Sequence, residues 1–405
     1  MAEFAGMRHL ETQTSTAQIL AGRRVRDVSD TIALLDQNNT TLVTLLMRLR
    51  KKKATDPKFE WGEDVFLTKY ITLAEDVSSE EYQYNAGSAA EAAQFRTGDV
   101  WWCADDDEVV YVDYVAGTAI GFVKAIGETS HMLWDLGAKL FYIGNAQATG
   151  DTARAQLTTQ TTQEYNYCQL FKEPFEVDRT AMSTKLYGGG DMAYLINKHA
   201  EEHKRDIERT LWFGERDDLT GADSTNYIAG VGSAAYLTRG VWHYFSRSGS
   251  GANTHTNTSE LTEDEYNGYL ETDMRYGNNV KFQFNSPRAC TVIDAWGRDA
   301  LQLMSRETTA GMVIRRYKST HGEINMIKNN LFADVADTSC ATNPATCSII
   351  LDLEQLWYRY LNDTELEQNI QENDRDAVEH QYRTEAGLEL RLDEHHAGIY
   401  GWSVS

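Results

Sequence analysis

The segment from Asp191 to Gly214 constrains the fold more than any other, because its pattern predicts one long amphipathic helix. Asp191 is placed to cap the helix N-terminus, and Gly214 is typical of the residue just beyond a helix end. Between them, one stripe at helical spacing holds Met192, Leu195, Ile196, His199, Ile207 and Leu211. At 1.5 Å per residue, such a helix is about 35 Å long. We predict a helical spine with one face on a core.

A β-rich segment is predicted at about residues 86–160. Short runs of strand-forming residues, separated by turn residues, occupy positions 100–102, 109–115, 119–126 and 139–143. This spacing predicts a small antiparallel sheet or barrel. The flanking segments, residues 59–77 and 164–187, also have strand-like patterning. If these segments pair with each other, the β-rich unit is an insertion at the tip of a long hairpin.

The C-terminal half mixes predicted helices and strands, which favours an α+β fold. Thr262 and Glu265 match a capping box at the start of a helix. Residues 280–284 and 289–293 are interpreted as strands, and residues 353–361 as a short helix. Near the end of the chain, alternating apolar residues predict strands around a turn at Ala386-Gly387, with Glu389 on the solvated face.

Composition and charge exclude several classes of protein. The chain has 405 residues, of which 41% are hydrophobic, as expected for a globular protein and not for a disordered one. Its 38 Lys and Arg residues against 61 Asp and Glu residues give a net charge of −23, which disfavours nucleic-acid binding by the surface as a whole. The sequence predicts neither a membrane span nor a secretory leader, so we expect residence in the cytoplasm and no membrane partner.

One short run opposes the acidic balance. Five cations occur within six residues, and they are Arg48, Arg50, Lys51, Lys52 and Lys53. Such a run can contact phosphates or an acidic partner, or it can be a solvated helix end where cations complement the helix dipole. Both interpretations stay open on sequence alone.

The sharpest chemical motif lies inside the long helix. His199, Glu202 and His203 in HAEEH match the HxxEH zinc-peptidase pattern, in which two histidines hold zinc and the glutamate activates water. A third ligand is missing, because residues 277–284 contain no acid. We therefore expect a partly buried His199, a surface His203 and no metal, cofactor or catalytic residue. Cys340 and Cys347 could close a short disulfide loop or remain reduced.

The order of these features resembles the tailed-phage major capsid proteins with the Hong Kong 97-like fold, in the subgroup with a β-rich insertion in the extended loop. The resemblance covers roughly residues 30–400. It depends on LLDQNNTTLVTLLMRLRKKKATDPKFEWGEDVF, on the strand-and-helix unit NYCQLFKEPFEVDRTAMSTKLYGGGDMAYLINKHAEEHKRDIERTLWFGE and on the terminal LELRLDEHHAGIYG.

The resemblance implies a division of the chain into an arm, a loop and two domains. Residues 1–56 would form the N-terminal arm and its helix, and residues 57–187 the extended loop with its inserted domain. Residues 188–260 would form the peripheral domain with the spine helix, and residues 261–375 mainly the axial domain. Residues 376–405 would provide the C-terminal strands that close the peripheral domain.

The resemblance also implies a structural function and not an enzymatic one. Copies would assemble in the host cytoplasm into pentamers and hexamers of an icosahedral head that encloses double-stranded DNA, contacting the DNA only weakly. Scaffolding, portal and decoration proteins are possible further partners, and the basic run from Arg48 to Lys53 would contact acidic neighbouring subunits. An encapsulin-like nanocompartment shell and a zinc peptidase using HAEEH are the alternatives.

Overall fold

The computed structural model describes most of the chain from residue 40 onward. The described residues are 40–67, 69–77, 82–104, 107–124, 126, 134–147, 149–150, 156–184, 191–219, 235–246, 253–259, 261–300, 304–309, 312–334 and 343–402. They form two compact units. The first unit combines the residues up to Glu60 with those from Tyr165 onward, and the second is Trp61–Glu164.

Helices and strands alternate along the chain. The helices are α1 (Thr41–Leu49), α2 (Ala89–Ala92), α3 (Arg179–Ser183), α4 (Asp191–Phe213), α5 (Val241–Ser246), α6 (Glu263–Asp273), α7 (Pro287–Ala300) and α8 (Leu331–Asp334). The strands up to residue 178 are β1 (Lys51–Lys53), β2 (Lys58–Glu63), β3 (Tyr70–Thr72), β4 (Gln83–Asn85), β5 (Asp99–Cys103), β6 (Glu108–Ala116), β7 (Ala119–Val123), β8 (Lys139–Asn145), β9 (Thr162–Tyr167) and β10 (Gln169–Asp178). The later strands are β11 (Asn253–Thr256), β12 (Val280–Asn285), β13 (Met304–Thr309), β14 (Met312–Lys318), β15 (Glu323–Lys328), β16 (Cys347–Leu351), β17 (Leu356–Gln368), β18 (Ala377–Leu390) and β19 (Ala397–Tyr400).

Two larger sheets organise the first unit. One has four strands in the order β1-β17-β18-β10, and the other has seven in the order β11-β19-β16-β12-β15-β14-β13. The C-terminal strands divide between them, because β18 lies in the four-stranded sheet and β19 in the seven-stranded one. A separate two-stranded sheet pairs β2 with β9. The flanking segments of the β-rich region therefore do pair through these two short strands. Strand β10, in contrast, pairs with β18 along ten residues.

Helix α4 has the bounds that its periodicity predicts, Asp191–Phe213. It packs on β10 and β18 of the four-stranded sheet and on helices α1 and α5. Its C-terminal half is the most deeply buried part, with Ile207, Leu211 and Trp212 fully inaccessible to solvent. Gly214 follows the last turn where the chain runs close to Thr238, since a Cβ at Gly214 would lie 2.5 Å from the Thr238 carbonyl oxygen. No larger residue fits there without a shift of the backbone.

A buried glutamate on α4 caps the N-terminus of α1. Glu208 Oε1 accepts a hydrogen bond from the Leu42 amide (2.9 Å), and Oε2 accepts one from the Val43 amide (2.6 Å). Trp212 Nε1 donates to Oε1 at 2.9 Å. These amides have no partner inside their own helix, so the carboxylate satisfies two of the free N–H groups at the helix start. Burial raises the pKa of Glu208 to about 7, although the hydrogen bonds from Val43, Leu42 and Trp212 act in the opposite direction.

The seven-stranded sheet has a polar line through its apolar interior. Tyr266 on α6 donates to Gln283, whose amide nitrogen donates to Asn285 Oδ1 at 2.7 Å. Ser348 on β16 donates to the same oxygen at 2.6 Å. Each polar group is hydrogen-bonded to the next. Burial of these groups therefore avoids the free-energy penalty of unsatisfied polar groups. Helix α6 begins at the predicted capping box, with Thr262 and Glu265 bonded reciprocally.

Three predictions of secondary structure in the C-terminal half are wrong. Residues 289–293 lie within helix α7, which Ser286 caps by accepting from the Ala289 amide at 3.2 Å, with Pro287 in the first helical position. Residues 356–361 lie in strand β17 and not in a helix. Gly387 sits inside β18 and not at a turn. A Cβ at Gly387 would lie 2.3 Å from the Tyr167 carbonyl oxygen, so this glycine permits close backbone approach within continuous strand.

The second unit is a six-stranded sheet in the order β3-β8-β5-β6-β7-β4. All neighbouring strands pair antiparallel. Its core is aromatic: Trp101 lies between Phe95 and Tyr142, with ring centroids 4.7 and 5.5 Å away. Trp134 is fully buried against Phe122. The unit therefore has an apolar core of its own.

Of the two cysteines that could close a disulfide loop or remain reduced, Cys340 lies outside the described residues. Cys347 is buried in β16, where burial raises the pKa of its thiol well above the ordinary range. Among the helices within the described ranges, none combines the length and the hydropathy needed to cross a bilayer.

We expect the Glu208 cap to make stability depend on pH. Because the pKa of Glu208 is raised on folding, its contribution to stability is fully present below about pH 4.5 and is lost as the pH rises through about 7. Thermal melting of the wild type and of Glu208→Gln between pH 5 and 8 measures this effect. The wild-type melting temperature should fall relative to that of the variant as the pH rises. A difference that stays constant across this range would contradict the account.

The second unit offers a matched pair of adjacent tryptophans. Trp101 is 1% exposed in the core, whereas its neighbour Trp102 is half-buried on the opposite face and donates from Nε1 to Asp107 Oδ1 at 2.7 Å. Trp101→Ala should destabilise this unit by about 3–5 kcal/mol, and Trp102→Ala by about 1 kcal/mol. Urea unfolding followed by circular dichroism compares them. Equal losses would show that the two faces of the sheet are packed alike.

Candidate assembly surface

The predicted basic run spans the end of a helix and the edge of a sheet. Arg48 lies in the last turn of α1, where a cation complements the helix dipole. Residues 51–53 form strand β1, which pairs in parallel with Tyr358–Tyr360 of β17 and is an outer strand of the four-stranded sheet. All three lysines of β1 are exposed. An exposed edge strand has unpaired backbone groups on its outer side, and lysines are a common protection against unspecific pairing there.

Two of the five cations have partners within the chain. Lys51 forms an ion pair with Asp363, and its Nζ lies 4.7 Å from the centre of the Tyr360 ring. Partial burial would raise the pKa of Asp363, but the hydrogen bonds from Lys51 and from the Thr364 amide, together with the charge of Lys51, outweigh it and lower the pKa. Arg50 lies 3.9 Å from Glu354. Arg50 and Lys51 therefore hold the start of β1 on its own sheet.

The other three cations point to solvent. Arg48, Lys52 and Lys53 are exposed, and in the part of the chain that the structure describes none of them forms an ion pair. Three uncompensated positive charges thus lie together on a subunit whose net charge is −23. The edge therefore has a local positive charge on an acidic subunit.

A buried ion triad supports the edge from beneath. Glu389 on β18 is fully buried and accepts hydrogen bonds from Arg359 on β17 and from Arg391, the latter at 2.6 Å. Arg359 also reaches β1, donating to the Lys53 carbonyl oxygen at 3.4 Å. The prediction that Glu389 faces solvent is wrong, because strand alternation identifies the two faces but not whether a second layer covers the polar one. A buried carboxylate needs paired cations, and the two arginines provide them.

A groove beside the basic edge combines apolar and charged groups. Its lining includes Leu49, Arg50, Val280, Phe282, Leu353 and Glu354. Leu49 is 59% exposed and Val280 is 40% exposed. Exposed aliphatic side chains therefore lie beside the exposed cations of the edge.

The histidines of HAEEH do not form a two-histidine zinc site. His203 is buried, not at the surface as expected, and its Nε2 lies 2.7 Å from Thr384 Oγ1. Burial also lowers the pKa of His203 below its usual range. His199 is half-buried, as expected, and its Nδ1 lies 3.0 Å from Glu202 Oε2. Glu202 is therefore in contact with His199 and does not lie across a metal from two histidines, so the peptidase arrangement is absent from these described residues.

Comparison with known proteins gives one family over nearly the whole chain. The sequence matches the family described as SU10 major capsid protein over residues 9–403. No curated protein matches the sequence.

Solved structures of shell-forming proteins are similar to this chain at low sequence identity. A structure described as the capsid of a native GTA particle is similar with a TM-score of 0.50 and 7% identity, covering 97% of this chain and 100% of that chain. A structure from Gordonia phage Cozz has a TM-score of 0.41 and 13% identity, covering 64% of this chain and 77% of that one. The SrpI encapsulin of Synechococcus elongatus PCC 7942 has a TM-score of 0.40 and 9% identity, covering 61% and 81%.

Removal of the buried anion tests the support beneath the edge. Glu389→Gln leaves Arg359 and Arg391 without their counter-charge and should lower the free energy of unfolding by about 3–5 kcal/mol. Glu385→Gln is the control on the same strand, because Glu385 pairs with the more exposed Arg383 and its loss should cost less than about 1 kcal/mol. Urea denaturation measures both. A Glu389→Gln variant as stable as the control would mean that the triad does not support the sheet.

Proposed function

Because this chain belongs to the SU10 major capsid protein family, we propose that its copies assemble into the pentamers and hexamers of an icosahedral head that encloses double-stranded DNA. It is a structural capsid protein, and the predicted resemblance to phage capsid proteins of the Hong Kong 97-like fold is confirmed by the family match and the shared fold. The observation that carries the proposal is the match across residues 9–403, which includes both units. We further propose that assembly takes place in the host cytoplasm.

The net negative charge of the subunit favours a shell that encloses DNA without binding it tightly. Each chain has a net charge of −23, and a shell multiplies that charge by the number of copies. Phosphate backbones bind to surfaces that release their counterions, which an acidic wall does not do. The DNA is therefore enclosed with weak contacts. Scaffolding, portal and decoration proteins remain predicted partners.

The proposed assembly contact consists of Arg48, Lys52 and Lys53, which form no ion pair with the residues that the structure describes, and of the adjoining groove. Acidic side chains predominate on this subunit, so a neighbouring copy is a natural partner for three clustered positive charges. The exposed Leu49 and Val280 supply apolar area beside them. Arg50 and Lys51, which the sequence analysis grouped with these cations, have a different role, because their charges are already paired within the chain.

The second unit supplies another surface suited to association. Tyr70, Phe141 and Trp102 lie in register on three neighbouring strands, and Phe141 is 51% exposed. Ile143, on the same face of β8, is 55% exposed. Monomeric proteins rarely expose such contiguous apolar area. We propose that this unit is the insertion in the extended loop and that other capsid subunits cover this face.

The alternatives have less support. The encapsulin likeness covers a smaller part of the chain than the capsid-family match, so a nanocompartment has no separate observation in its favour. The capsid family is structural, and HAEEH does not bring two histidines to one metal. Electron microscopy of the purified full-length chain tests the proposal directly. Closed particles or rings of five and six subunits are expected, and a strictly monomeric protein at high concentration would oppose it.

Charge reversal at the edge tests the assembly contact. We expect Lys52→Glu with Lys53→Glu to block shell formation while leaving the subunit folded, because both side chains are exposed and neither forms an ion pair within the described ranges. The matched control reverses two charges on the exposed face of α4, Lys204→Glu with Arg209→Glu, whose partners lie in the same helix. Shell yield is measured by sedimentation and folding by circular dichroism. Equal shell yields from the two double variants would show that Lys52 and Lys53 do not contribute to the assembly contact.

A further inference from the structure

Three metal-ligating side chains converge where α4 packs on β10. Glu173 comes from β10, and His199 and Glu202 come from α4. One ligand atom of each lies within 4.8 Å of the other two. We propose that Glu173, His199 and Glu202 bind a divalent metal ion of the zinc class, and that the ion joins helix α4 to the four-stranded sheet. This site is separate from the proposed assembly contact and does not depend on it.

The two carboxylates approach one nitrogen. His199 Nδ1 lies 3.0 Å from Glu173 Oε1 and 3.0 Å from Glu202 Oε2. A ring nitrogen carries at most one proton, so it can donate one well-directed hydrogen bond and not two. The second carboxylate then lies close to Nδ1 without a well-directed hydrogen bond from it. A divalent cation placed between the three atoms would interact with all of them at once.

The two nitrogen-to-oxygen distances agree with the spacing of ligands around one metal ion. Zinc binds imidazole nitrogen and carboxylate oxygen at about 2.0–2.2 Å, which places ligands at angles of 90–110° about 2.9–3.4 Å apart. Both nitrogen-to-oxygen distances at this site, 3.0 Å, fall in that interval. Imidazole together with carboxylates suits zinc and neighbouring transition metals, whereas calcium and magnesium prefer oxygen ligands alone.

The surroundings orient the ligands and leave access for solvent. The His199 ring stacks on Phe175 with an interplanar angle of 3° and centroids 4.9 Å apart, which fixes the direction of Nδ1. The side chains of His199, Glu173 and Glu202 are 18%, 26% and 39% exposed, so water can complete the coordination. Lys198 Nζ, 3.8 Å from Glu202 Oε1, is the cation that competes with the metal.

The proposed site uses HAEEH differently from a zinc peptidase. His203 is excluded from it, because its ring is buried between Phe171 and Tyr382 and bonded to Thr384. Glu202 is a ligand here and not a general base. The third ligand, Glu173, is 26 residues before His199 in the sequence and on another element, so the role of the ion is to link helix to sheet.

Zinc titration of the chelator-treated full-length chain tests the proposal. One Zn²⁺ per chain should bind and raise the melting temperature, since a ligand that binds only the folded state stabilises it. Glu173→Gln should weaken binding at least about tenfold, and His199→Gln should abolish it. Glu201→Gln is the matched control, because Glu201 neighbours the site on α4 but pairs with Lys204 at 2.8 Å. This variant should bind zinc as the wild type does.

Cobalt substitution gives a readout that does not depend on stability. Co²⁺ bound by one imidazole and two carboxylates should give visible absorption that Glu173→Gln and His199→Gln lose and Glu201→Gln retains. Circular dichroism verifies that each variant is folded. If zinc leaves the wild-type melting temperature unchanged, or if His199→Gln binds zinc as tightly as the wild type, the three side chains form ordinary hydrogen bonds only and the proposal is overturned. Because neither measurement depends on shell formation, failure here is distinguishable from failure of the capsid assignment.

Discussion

The contact between Glu208 and the start of α1 is the constraint on which much of the first unit depends. A carboxylate deep in a core is costly unless every oxygen has donors, and here two backbone amides and an indole supply them. The same contact fixes the start of α1 on α4, because the two carboxylate oxygens accept from two successive amides of α1. Helix α1 is followed directly by strand β1 at the edge of the four-stranded sheet. Helix α4 thus connects the core to the edge.

The charged residues at the edge fall into two groups: some are paired within the chain, and others are exposed to solvent. Arg50 and Lys51 form ion pairs within the chain, and the Arg359–Glu389–Arg391 triad lies beneath. The cost of desolvating Glu389 is offset only when both arginines are in place, so β17 and β18 are held in one register. On this support, Arg48, Lys52 and Lys53 are presented to solvent with nothing in the described chain to neutralise them. Rigid presentation of a few unpaired charges favours a specific contact over diffuse attraction.

Several residues of the candidate sites were predictable from the sequence, but their contacts were not. Sequence analysis identified the basic run and HAEEH, since both stand out by composition and spacing. It could not distinguish the paired cations Arg50 and Lys51 from the rest of the run, because their partners Glu354 and Asp363 lie about 300 residues further along the chain. It also placed His203 at the surface, although this histidine is buried. Helical periodicity places His199 and His203 on one side of α4, but only Thr384 on β18 shows which of them is covered. Glu173 had no signal, because nothing local relates it to α4.

Local patterns by themselves determined the long helix, the capping box at Thr262 and the family to which the chain is similar, since helix periodicity, caps and the order of elements are properties of neighbouring residues. Only the tertiary structure decided that residues 356–368 are strand, that Gly387 lies inside a strand and that Glu389 is buried. The physical reason is that a short apolar run suits either a helix or a strand, and the partner that satisfies its backbone selects between them. For β17 those partners are β1 and β18, which come from the two ends of the chain.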